Sequence, residues 1–84
     1  MNFASYVVIH HSDDWDVDPE VVLATTDLGH AMETAAVHPH PNAHHGLRPE
    51  YRELQGWSNG MLDVIMHKNA DGTWDAQTFD RSNG

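Results

Sequence analysis

Residues 60–79, GMLDVIMHKNADGTWDAQTF, limit the fold more than any other stretch of the chain. Asn-Ala-Asp-Gly at 69–72 separates two runs of alternating polarity. Asp and Gly accept positive φ, so these four residues predict a tight turn. In the first run Leu62, Val64 and Met66 fall on one side, and Asp63, Ile65 and His67 on the other. In the second, Trp74, Ala76 and Thr78 alternate with Asp75, Gln77 and Phe79. A period of two marks a half-buried antiparallel hairpin.

The other elements are read against that hairpin. SYVVIHH (5–11) and EVVLATT (20–26) are apolar and β-branched, with a polar stretch containing Pro19 between them. Strand, polar loop and strand in succession predict a second antiparallel hairpin. Leu28, Ala31, Met32, Ala35 and Ala36 then recur at helical spacing, with Thr26 or Asp27 as N-cap and Pro39 and Pro41 as the stop. HPHPNAHHG (38–46) reads as irregular, because proline removes donors and extends the residue before it. Pro49 suits a first helical position and Gly56 a C-terminal cap, which predicts a short helix or 3₁₀ turn over 49–55.

The expected fold is therefore α+β: a four-stranded, mainly antiparallel sheet in the order β-β-α-β-β, with one main helix on one face. The expected core is Val7, Ile9, Val22, Leu28, Met32, Leu62, Val64, Met66 and Trp74. Tyr6, Val8 and Ile65 would then form a patch on the opposite face. All 84 residues read as one domain, with 79–84 as a frayed tail.

Composition excludes several functions. Without cysteine there are no disulfides, no CxxC redox chemistry and no thiolate zinc sites. Thirteen acidic residues against four basic ones give a formal charge of −9. Phosphate binding needs clustered Lys and Arg, but Arg48, Arg52, Lys68 and Arg81 are scattered. Direct contact with nucleic acid or an anionic membrane is not expected, and a partner with a basic face is favoured. No apolar run approaches membrane-span length and the first residues lack a basic n-region, so the expectation is a cytoplasmic protein. Gly-rich phosphate loops, GxSxG and HExxH are absent, and no enzyme activity is expected.

The acids concentrate in HHSDDWDVDPE, residues 10–20. Asp14, Asp16 and Asp18 resemble positions one, three and five of an EF-hand loop, where alternating carboxylates coordinate calcium. The sixth position, a glycine in that family, is Pro19 here, and the twelfth, a glutamate, is Thr25. Eight histidines are present, and His38, His40, His44 and His45 crowd one loop. Imidazoles at this density are candidate zinc, copper or nickel ligands, so a metal-binding module is the alternative function. YVVIHHS also resembles a strand of zinc-dependent N-acetylmuramoyl-alanine amidases. That resemblance implies His10 as a ligand, with His44 or His45 as a second; the family's cysteine-bearing third region is missing.

The leading expectation is a small acidic binding protein without cofactor, beyond weak divalent-metal binding. It would occupy a basic surface on another protein, as a phage-type inhibitor or nucleic-acid mimic does. Asp13, Asp14, Trp15, Asp16, Asp18 and Glu20 are the candidate contact residues, with Trp15 either a hot spot or a lid over the sheet end. Self-association as a homodimer through a sheet face or edge is the third reading. Imidazole titrates near pH 6.5, so protonating all eight histidines would carry the charge from −9 to −1.

Overall fold

The computed structural model describes residues 4–41 and 49–79. Five strands and one helix follow in the order β1 (Ser5–His11), β2 (Glu20–Thr25), α1 (Leu28–Ala36), β3 (Tyr51–Ser58), β4 (Met61–Lys68) and β5 (Trp74–Thr78). The strands form one sheet in the order β2-β1-β3-β4-β5, with every neighbouring pair antiparallel. The α+β class agrees with the sequence reading, but the sheet has five strands where four were expected.

The additional strand is β3, which replaces the short helix expected over 49–55. Gly56 caps no helix; it lies inside the strand, opposite Tyr6 on one side and Val64 on the other. Asn59 and Gly60 carry φ values of 53° and 75° and turn the chain directly into β4. An Asn-Gly pair with both φ positive matches the twist of a two-residue hairpin.

Because β2 and β3 both run antiparallel to β1, they are parallel to each other, with β1 between them. Such strands cannot be joined by a tight turn and require a crossover. The helix supplies it and lies against β1, β2, β3 and β4. Asp27 is the N-cap, and its side chain accepts from the backbone N–H of His30 at 3.2 Å. The helix ends at Val37, two residues before Pro39.

The core is the face beneath that helix. Tyr6, Val8, Ala31, Ala35 and Leu54 are buried together, with Leu23, Met32, Met66 and Trp74 packed against them. Small residues on the helix let it approach the sheet closely. Burial of side chains such as Leu54 and Val8 stabilises the fold by about 1.5–3 kcal/mol each.

This reverses the expected phase of β1. Tyr6 and Val8 point to the helix, which puts Val7 and Ile9, half-buried, on the opposite face. Both phases of SYVVIHH are apolar, so alternation alone does not choose between them. Leu28 and Val22 are exposed rather than buried. A register shift between Gly56 and Trp57 places Leu62 across from Trp57, on the side away from the helix. Val64, Met66, Met32 and Trp74 take the places expected of them.

Candidate functional site

The topology gathers the polar loops at one end of the sheet. There β1 leaves at His11 and β2 enters at Glu20; β3 enters at Tyr51; β4 leaves at Lys68 and β5 enters at Trp74. The acidic loop 12–19, the described parts of the connection after the helix and the turn 69–73 therefore share one end. With strands about 4.8 Å apart, they occupy adjoining surface.

Local hydrogen bonds shape the acidic loop. Asp14 N–H donates to Ser12 Oγ at 3.0 Å, and Asp16 N–H donates to Asp14 Oδ1 at 2.9 Å. Val17 N–H closes the turn on the carbonyl of Asp14 at 3.1 Å. Asp14 thus uses a carboxylate oxygen to hold the turn, while Asp13, Asp16, Asp18 and Glu20 stand exposed around it. Trp15 is 78% exposed, too open to act as a lid over the sheet. The loop has the Asp14, Asp16, Asp18 spacing but bends through an Asx-type bond, with the Asp14 side chain engaged by backbone.

A second feature was not legible in the sequence. On the face away from the helix, four rings meet at the loop end of the sheet. His11 stacks on Tyr51 with centroids 4.8 Å apart, and His40 meets the same tyrosine edge-on at 4.7 Å. His67 lies 4.7 Å from His40 and 5.8 Å from Tyr51. A polar string runs into this cluster along β3. Trp57 Nε1 donates to Gln55 Oε1 at 3.0 Å, Gln55 Nε2 donates to Glu53 Oε2 at 2.6 Å, and Glu53 Oε1 lies 3.1 Å from His11 Nε2. The string satisfies polar side chains on a half-buried surface. The four rings come from three strands and the segment after the helix, so no local sequence pattern announces them.

The other side of the same end holds a separate group. Arg52 Nε donates to His10 Nδ1 at 3.2 Å, and its Nη1 donates to the carbonyl of Thr34 at 2.9 Å. Accepting from Arg52 requires a lone pair on Nδ1, so this geometry belongs to neutral His10 with its proton on Nε2. That nitrogen lies 3.4 Å from Glu50 Oε2, and the His10 ring meets His38 edge-on at 4.7 Å. Arg52 thereby ties the sheet to the last turns of the helix.

The crowded histidine loop is therefore divided. His38 joins His10 on one side, while His40 joins Tyr51 and His67 on the other. The His40 backbone is anchored to β4 and the turn after it, donating to Lys68 O at 2.6 Å and accepting from Ala70 N–H at 2.9 Å. His40 also forms an isolated parallel bridge with Asn69. His44 and His45 lie outside the described residues, as does residue 80 onward of the expected tail. Phe79 is within them and donates from its backbone to Asp63 O at 3.0 Å. Among the described residues, no three His, Asp or Glu side chains are placed to hold a metal ion, and no helix is long and apolar enough to cross a membrane.

Comparison with known proteins returns no matching family model, no matching curated protein and no matching solved structure.

Proposed function

We propose that this protein is a non-enzymatic acidic binding protein that seats the loop end of its sheet on a basic surface of a protein partner. The observation that carries the reading is Trp15, which is 78% exposed within a turn flanked by exposed carboxylates. An exposed indole costs solubility, and interface centres are enriched in tryptophan. Asp13, Asp14, Asp16, Asp18 and Glu20 would supply the long-range field, and Trp15 the apolar anchor. Glu50, Asp71 and Asp75 extend the same sign of charge along that end. Arg52 does not offset it outwardly, because its guanidinium is bonded inward to Thr34 O and His10. Such a surface raises the rate of encounter with a cationic partner and would block it in the manner of an inhibitor.

The test is site-specific cross-linking. A photoreactive phenylalanine analogue at Trp15 is expected to capture a protein with a basic surface in the native host at low salt. Capture should be lost at about 500 mM salt, where screening shortens the reach of charge to a few Å. The same analogue at exposed Leu28, at the opposite end of the sheet, should capture little. Equal capture from the two positions sinks the reading.

A further inference from the structure

The face away from the helix holds a shallow depression of about 230 Å³ between β4 and β5, lined by Ile65, His67, Asp75, Ala76 and Gln77. The ladder pairs Ile65 with Gln77 and His67 with Asp75, so these four side chains form two adjacent rows on one face. We propose that this depression grips a guanidinium group, an arginine side chain projecting from the basic surface of the partner. The inference rests on the acidic-contact reading and adds to it the group that is held.

Each wall fits that chemistry. Asp75 supplies a carboxylate whose side chain is 68% exposed, and its contact with His67 Nε2 is long, at 3.5 Å. It can accept two parallel N–H bonds, the geometry in which arginine exceeds lysine. Ile65 is half-buried and offers apolar surface for the methylene stem of a long cationic side chain. His67 offers a flat ring, backed by His40 and Tyr51, on which a planar cation can stack. Gln77 adds an amide oxygen as a further acceptor. Asp75 gives the lining its one carboxylate, whose negative charge favours a cation over an anion. A divalent metal would find one carboxylate and one imidazole, short of the ligand number it needs.

The test is titration of the ¹⁵N-labelled full chain with N-acetylarginine methylamide at low ionic strength, followed by NMR. Its citrulline isostere and the lysine analogue serve as controls. Saturable shifts are expected at the amides of 65–67 and 75–77, weaker with lysine and absent with citrulline. Asp75→Asn should weaken arginine binding at least twofold while leaving the rest of the spectrum in place, and Gln77→Ala should weaken it less. Shifts confined to residues 12–20, equal binding of citrulline, or no effect of Asp75→Asn would overturn the proposal. The outcome is separable from the Trp15 cross-linking result. Capture at Trp15 without a saturable arginine site removes the pocket alone, and the converse removes the acidic-loop contact alone.

Discussion

The two faces of the sheet are built from the same strands and meet opposite fates. On the covered face Tyr6, Val8, Leu54 and Val64 are buried beneath or beside one nine-residue helix. On the open face Val7, Ile9 and Ile65 reach only half-burial, and Trp57, Gln55, Glu53 and His11 are joined by hydrogen bonds. A domain this small has material for one covering layer. The second face is shielded by neighbouring side chains and by polar groups that satisfy one another. It is also the face that keeps room for a ligand, since a surface completed by packing has none to offer.

The sharpest way to break this contrast is to truncate one residue on each face. Leu54→Ala, in the centre of the covered face, should destabilise the fold by about 2–5 kcal/mol, because it removes buried methyl groups and leaves a cavity. Ile9→Ala on the open face should cost about 1–2 kcal/mol, since half of that surface is already wet. Urea unfolding measures both. Equal losses, with the Ile9→Ala loss growing with protein concentration, would mean that a second copy covers the open face in solution.

Two smaller changes separate the means by which each face is held. Gln55→Ala interrupts the string on β3 and leaves the Trp57 indole N–H and one Glu53 oxygen without their partner. A cost of about 1–2 kcal/mol is expected, against nearly none if water replaces the amide at once. Asp27→Ala acts on the covering layer instead. Loss of the bond from His30 N–H should cost about 1 kcal/mol and lower the helical signal in circular dichroism as the helix frays. If fraying leaves the open-face ring contacts unchanged in NMR spectra, the two faces are energetically separate.

How far the sequence discloses these features depends on whether the signal is local. The turn at 69–72, the Asp27 cap and the amphipathic helix are each written within a few adjacent residues, and each is found where expected. The strand β3 was missed because Pro49 and Gly56 resemble helix punctuation. One signal did point the other way, the Asn59-Gly60 turn directly after it, whereas the apolar residues Tyr51, Leu54 and Trp57 recur every three positions and do not alternate as a strand would. The phase of β1 was not legible at all, because SYVVIHH is apolar on both sides and only the position of the helix decides it. The acidic loop was legible as an exposed turn. The ring cluster of His11, His40, Tyr51 and His67 was not, because pairing between distant strands creates it.

The smallest effect concerns two aspartates four residues apart in the last hairpin. Asp75 faces outward from β5, whereas Asp71 works inside the turn. The Thr73 hydroxyl donates to Asp71 Oδ1 at 2.6 Å and the Thr73 backbone N–H donates to the same oxygen at 3.0 Å. These bonds favour the ionised form, so the Asp71 carboxyl is held below its ordinary value of 3.8, the hydroxyl contributing most and the backbone N–H next. For a carboxyl depressed in the folded state, the linked stability is fully present above 3.8 and is lost as pH falls through the lower folded value. Thr73→Ala removes the hydroxyl bond and keeps the backbone one. The Asp71 carboxyl should then titrate closer to its ordinary value, as read by carboxyl ¹³C shifts, while the signals of Ile65, His67 and Gln77 stay in place. Movement of those signals would show that the turn positions the depression beside it, and the role assigned here to Asp71 would extend from closing a hairpin to shaping the open face.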